Sequence, residues 1–160
     1  MIFGCLAVVI LRSYVGMAVA LPWKTTVFMG LFSVCAVVAG KIAGGFFAAK
    51  FGIRKTIVLS LLLAAVCYPL CGQVAAGWLA LFFFNMTMPI TLYLLVRRLP
   101  ELSGFSFGLL TFGLFLGFLP VYFECKFPVL GGLLGMLGSL ISLLLLHIVT
   151  WKRKGEGLSD

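Results

Sequence analysis

Arg12 and Lys41 are the two basic residues of this chain that stand inside long apolar runs rather than at their ends. A charge at the centre of a bilayer costs about 2.5–3.5 kcal/mol on insertion scales. Something must offset that cost at both positions. A guanidinium presents a planar fork that gives two parallel hydrogen bonds to phosphate, phosphonate or carboxylate, and an ammonium adds a point charge. Two such groups at one depth are therefore the makings of an anion site. No carboxylate can pair with either, because Glu101, Glu124, Glu156 and Asp160 all fall in turns or the tail. Asn85 is a third polar residue within a run and can orient a bound anion. Ser13 and Tyr14 neighbour Arg12, and Thr87 neighbours Asn85. These hydroxyls serve either as ligand contacts or as backbone-bonded packing groups. Snorkelling toward the headgroups is the competing use of a basic side chain here. It suits Lys41 better than Arg12, which lies about ten residues from either end of its run.

The elements that would position these groups follow from composition. Of the 160 residues 63% are hydrophobic and only 10% are charged, where a soluble domain carries about 25% charged residues. Mean hydropathy is +1.24. A soluble domain, a disordered chain and a nucleic-acid binder are excluded, despite a net charge of +8. The basic residues sit singly or in short groups at the ends of apolar runs, which is the pattern of topology determinants. Six runs can be marked: 2–21, 26–49, 56–72, 75–96, 104–122 and 129–150. Each is long enough, or nearly so, to cross about 30 Å of hydrocarbon as a helix. Without water to satisfy the backbone, helices are the default. The expected fold is an all-α membrane protein, a single six-helix transmembrane domain over residues 1–160. The turns are too short to hold an extramembrane core. No cleavable signal is expected, since the first run is too long for a signal core and carries an arginine.

Turn charges set the expected orientation. With the N-terminus inside, the inside turns and tail hold Lys50, Arg54, Lys55, Arg97, Arg98, Lys152, Arg153 and Lys154, and the outside turns hold only Lys24 and Lys126. Both termini are therefore expected in the cytoplasm. Trp23, Trp78, Tyr122 and Trp151 fall at run ends, as an aromatic belt does. On this topology Arg12 lies about 15 Å, Lys41 about 13–14 Å and Asn85 about 18 Å from the cytoplasmic edge. The three can share one level.

Glycines supply close-approach faces. Gly44 and Gly45 lie one turn from Lys41, and Gly113-x-x-x-Gly117 and Gly131-x-x-x-Gly135 mark the last two runs. Cys5, Cys35, Cys67, Cys71 and Cys125 read as small packing residues. With no His or acid beside Cys67 and Cys71, neither a metal site nor a cofactor is expected. His147 reads as interfacial. No catalytic constellation shares a depth, so an enzyme is not expected.

The stretch Gly45-Phe46-Phe47-Ala48-Ala49-Lys50-Phe51-Gly52-Ile53-Arg54-Lys55 resembles the signature between helices two and three of a half of the major facilitator superfamily. Gly45, Ala48, Lys50, Gly52, Arg54 and Lys55 match; Ala49 stands where the family has an Asp, and Ile53 where an Arg is common. Leu11-Arg12-Ser13-Tyr14, Gly40-Lys41-Ile42-Ala43-Gly44-Gly45 and Asn85-Met86-Thr87-Met88-Pro89 resemble the C-terminal half of fosmidomycin-resistance-like members. The resemblance implies one half of a twelve-helix transporter, with substrate at the midplane between halves. Members that handle organic phosphates use basic residues on the first two helices of a half, which implies Arg12 and Lys41 as substrate contacts. The resemblance also implies the Gly45–Lys55 loop as the gate region. Asn85, by its depth, and Tyr14, beside Arg12, are the further candidate contacts. The acid that helps latch that gate in the family is missing.

One half needs another to rock against. A homodimer would bring two copies of Arg12 and Lys41 to a central cavity across a two-fold axis. A separate partner half, as from a split gene, is the alternative. A non-transporting scaffold subunit is a third reading. The leading expectation is a half-size inner-membrane transporter that dimerises and moves a small organic anion by alternating access. The topology is directly testable. A reporter active only in the cytoplasm should work when fused after Asp160, and one active only outside should work when inserted after Lys24. The reverse pattern would invert the assignment.

Overall fold

The computed structural model describes residues 2–19, 26–123 and 131–155. The first turn, with Trp23 and Lys24, and the turn holding Glu124, Cys125 and Lys126 lie outside the described residues, as do Glu156 and Asp160. Every regular element among the described residues is helical: α1 Ile2–Ala18, α2 Val27–Phe51, α3 Ile53–Cys67, α4 Val74–Asn85, α5 Met88–Val96, α6 Ser103–Tyr122 and α7 Gly131–Gly155. A 3-10 turn over Tyr68–Leu70 extends α3, and α4 and α5 form one interrupted helix. Five of these helical stretches are long and apolar enough to cross a membrane, α1 being shorter. The chain thus has the character of a multi-pass membrane protein.

Local sequence explains the boundaries. A single residue, Gly52, links α2 to α3 at φ +88°, a conformation that residues with a Cβ rarely adopt. Pro69 ends the α-helical part of the third stretch. The α4–α5 interruption at Met86-Thr87 follows from Pro89. Proline has no N–H to give the Asn85 carbonyl four residues back, and its ring crowds that carbonyl. Hydroxyls bond to backbone carbonyls around the interruption: Thr87 Oγ1 donates to Phe84 O at 3.2 Å and Thr91 Oγ1 to Met88 O at 2.7 Å.

The helices pair in a repeating pattern. α1 lies against α6, α7 and α5, and α2 lies against α4, α3 and α5. α3 lies against α7 and α4. Exchanging α1, α2 and α3 with α4–α5, α6 and α7 maps the larger of these pairings onto one another, although the α2–α3 contact has no equal between α6 and α7 among the described residues. The α1–α6 pair corresponds to α4–α2, and α1–α7 corresponds to α4–α3. Glycines follow the same exchange. A Cβ on Gly40 or Gly44 would strike the backbone carbonyls of Phe82 or Met86, so α2 runs parallel to the interrupted helix at backbone contact. A Cβ on Gly113 would strike Leu6, and one on Gly117 would strike the Ile10 carbonyl and Ser13, so α6 runs parallel to α1 in the same manner. Ser13 Oγ locks that second pair by donating to Leu114 O at 2.6 Å. Three helical stretches per unit reverse the direction of the second unit relative to the first, the arrangement that inverted repeats have.

The ends of the chain meet. Gly4 packs on Val149 and Val15 on Gly138, so α1 and α7 are antiparallel and the first and last described turns share one end of the bundle. Arg54, at the start of α3, reaches the same end and donates to the Thr150 carbonyl oxygen at 2.5 Å. The core is built around Val8, Val15, Leu61, Ala64, Tyr68, Phe84, Ile90, Leu94 and Leu146. The glycine contacts set a clear contrast. Gly44→Ala should lower stability by about 1–3 kcal/mol, the usual cost of overpacking. Gly45→Ala, with nothing within 4 Å of the added carbon, should stay within about 0.5 kcal/mol. Thermal unfolding of both in one detergent checks this.

Candidate functional site

Arg12 lies at the centre of this packing. It is only 5% exposed. Residues on either side explain why it is held there. Val8, Val9 and Val15 are buried on α1, and Ser13 is tied to α6. The helix therefore cannot rotate to bring Arg12 to the surface. Its guanidinium carbon stands 4.9 Å from the ring centroid of Phe84 on α4. The Tyr68 ring meets the same Phe84 edge-on at 5.6 Å and lies against Gly135 of α7, where a Cβ would fill the ring's place. Arg12, Phe84 and Tyr68 thus form one contiguous group where α1, α4, α7 and the end of α3 converge.

The polar accounting at this group is incomplete. None of the three guanidinium nitrogens of Arg12 has a hydrogen-bond partner among the described residues, nor has the Tyr68 hydroxyl. Ser142 Oγ is buried and lacks a partner in the same sense. The antiparallel register of α1 and α7, fixed at Val15–Gly138, sets Ser142 level with Leu11 and Arg12. A guanidinium has five N–H donors and no acceptor. The face of Phe84 offers a cation–π attraction of about 0.5–2 kcal/mol, while a buried ion without hydrogen bonds carries a penalty of several kcal/mol. The aromatic face does not close that gap. An anion with two oxygens side by side would, accepting from Arg12 in bidentate fashion and from the Tyr68 hydroxyl.

The other residues singled out in the sequence are distributed differently. Lys41 does not join Arg12. It is exposed on the outer side of α2, beside the exposed Val38 and Ile42. Its neighbour Gly40 faces inward onto Phe82. Helical geometry forces the separation, since consecutive residues point about 100° apart. The Arg12 guanidinium is turned into the bundle, not onto the outer face that a central cavity between two copies would require. Asn85 is half-buried, and its side-chain Nδ2 donates to Leu81 O of its own helix at 2.8 Å. It follows Phe84 directly in the sequence, on the last turn of α4 before the interruption. Tyr14 is half-buried, with a hydroxyl that lacks a partner among the described residues.

The Gly45–Lys55 stretch, expected as a loop, is helical on both sides of Gly52, being the last turns of α2 and the start of α3, and it lies at the end of the bundle where the chain's first and last described turns meet. Gly45 is open, Gly52 makes the turn, and Arg54 is spent on Thr150. The Lys50 ammonium lies 5.7 Å from the Phe51 ring centroid. Gly45, Ala48, Ala49 and Gly52 line one wall of a groove of about 560 Å³, and Pro89, Tyr93 and Arg97 of α5 line the other. The Arg97 guanidinium stacks on Tyr93, 5.8 Å from its centroid.

Phe84, Tyr68 and Ser142 were not legible as site residues in the sequence. A phenylalanine in an apolar run carries no signal. Tyr68 and Ser142 are polar groups inside runs, but only the packing shows that they lack partners. Among the described residues no group of three or more His, Cys, Asp or Glu could hold a metal ion. Compared with protein-family models, with curated proteins and with solved structures, the chain matches none.

The unsatisfied guanidinium makes a prediction about the resting protein. Arg12→Met keeps an unbranched apolar stem, shorter than that of arginine, and removes the charge. Replacing buried ionic groups by apolar ones is often neutral or stabilising by about 1–4 kcal/mol. The variant should therefore unfold at the same or a higher temperature than the parent when no anion is added. A large fall would mean that the resting fold itself satisfies the guanidinium.

Proposed function

We propose that the chain is a half-size secondary transporter of the cytoplasmic membrane, with both termini inside, that dimerises and moves a small organic anion by alternating access. The observation that carries this reading is the buried Arg12 guanidinium without a hydrogen-bond acceptor among the described residues, set against an interrupted helix. Discontinuous helices at the midplane are where transporters place substrate. Phe84 covers the guanidinium two residues before the interruption. Movement of α4 relative to α5 would uncover Arg12 and admit an anion. The inverted pairing of α1–α3 with α4–α7 supports the same reading, because such repeats recur in transporter halves.

The outer faces support a partner. α2 and α6 are the least buried of the long apolar helices, with 17% and 22% of their most apolar windows buried. Lys41 lies on α2 in mid-helix, where lipid is a poor environment for an ammonium. A second copy apposed along α2 would cover it, and a cavity between copies would hydrate it. Arg12 would bind the anion, Tyr68 would donate to it, and Asn85 would stand at the moving edge. Lys41 would draw anions in from the chain–chain cavity. With no carboxylate in mid-helix, anion exchange or uniport is simpler than proton coupling.

A thermal-shift panel of organic phosphates, phosphonates, carboxylates and nitrate tests this. At least one organic anion should raise the Tm of the parent protein and leave that of Arg12→Gln unmoved, with Arg12→Gln still folded. An equal shift in both proteins would remove Arg12 from the site. In mild detergent the protein should run as a dimer, and a strict monomer in lipid as well would refute self-assembly.

A further inference from the structure

A second groove, of about 450 Å³, lies on the outside of the bundle between the C-terminal part of α2, the first half of α3, and α4. Phe51, Leu59, Leu63, Phe82 and Met86 line it, and Lys55 stands at its mouth. The interior is almost wholly apolar. Its two hydroxyl residues are turned to the backbone, Thr56 Oγ1 donating to Gly52 O at 2.9 Å and Ser60 Oγ to Ile57 O at 3.2 Å. The mouth is cationic. Lys55 lines it directly, and the Lys50 ammonium is held over Phe51, another lining residue. All four carboxylates of the chain lie outside α2, α3 and α4.

The dimensions and the charge point to one kind of occupant. From Lys55 to Leu63 the groove follows α3 for about 12 Å. One leaflet of hydrocarbon is about 15 Å deep. A groove of about 450 Å³ that follows α3 for such a length is comparable in depth with one leaflet. A second copy seated in this groove would offer no carboxylate from any of its described helices to the cationic mouth. A molecule with a phosphate at one end and a hydrocarbon chain at the other matches both parts. We infer that this groove is a binding site for one anionic phospholipid, its phosphate held by Lys50 and Lys55 and one acyl chain lying along α3 against Phe82 and Met86. Basic pockets between helices at the positively charged membrane face hold anionic headgroups in this way. The bound lipid would brace α3 against α4, the part of the interrupted helix that covers Arg12. The assignment stands independently of what the chain transports.

The test compares protein in phosphatidylcholine nanodiscs with and without phosphatidylglycerol. Phosphatidylglycerol should raise the Tm of the parent by several degrees. The double variant Lys50→Gln/Lys55→Gln should keep the parent Tm in phosphatidylcholine and lose most of the shift. Leu63→Trp, at a partly exposed position that leaves both cations in place, should lose it as well by filling the groove. Arg98→Gln, which removes a charge elsewhere at the same end of the bundle, should retain it. The inference is overturned if the double lysine variant shifts as much as the parent. It is equally overturned if inorganic phosphate in detergent reproduces the whole shift. Dissociation of a dimer by Leu63→Trp, with no response to phosphatidylglycerol in the parent, would assign the groove to chain–chain contact instead.

Discussion

The structure turns on a guanidinium buried in an apolar bundle with one aromatic face beneath it and no acceptor beside it among the described residues. Such a group is tolerated only when its surroundings are too tightly packed to release it, or when something arrives to satisfy it. The first condition is met by the valines of α1 and by Ser13, which fix the rotation of that helix. The second requires an anion with a path inward. The interrupted helix beside Phe84 is the element best placed to open that path. Its backbone already lacks one hydrogen bond at Asn85 because of Pro89, so moving it disturbs less than parting a regular helix would.

Close packing elsewhere would give the proposed opening its direction. Gly40 and Gly44 hold α4 and the start of the interruption against α2 at backbone distance. Gly113 and Gly117 hold α1 against α6 through the corresponding contacts. The two pairs are stiff, since any shift brings Cα against carbonyl. Motion is more easily accommodated between pairs than within them, where α1 meets α5 and where α3 meets α4. Arg12 and Phe84 come from opposite pairs and face one another across that junction. The anionic lipid groove lies along α3 and α4, at the other side of the same covering element.

Much of this was readable from the sequence. The apolar runs and their ends match the helices to within a few residues, because run length and hydropathy dominate folding in a medium without water. The open Gly45 and the turn at Gly52 lie in the stretch singled out for its glycines and basic residues. The depth of Arg12 and Lys41 could be counted along the helices, but their azimuth could not. Rotation is set by which small residues face which neighbour, and the α2 run offers Gly40 and Gly44 on one face and Gly45 on another. Hence Lys41 was expected beside Arg12 and stands instead on the outer surface. The partners of Arg12 were equally hidden. Phe84 is one of sixteen phenylalanines, and only the crossing of α1 and α4 selects it.

The most direct test of the central claim is a solid-state measurement of nitrogen–phosphorus dipolar coupling between arginine guanidinium nitrogens and a phosphonate bound to the protein in lipid. The account predicts a coupling corresponding to hydrogen-bond contact from a single arginine, absent in Arg12→Lys. A bound phosphonate with no coupling to Arg12, or with coupling only to Arg97 or Arg98 at the bundle end, would contradict it.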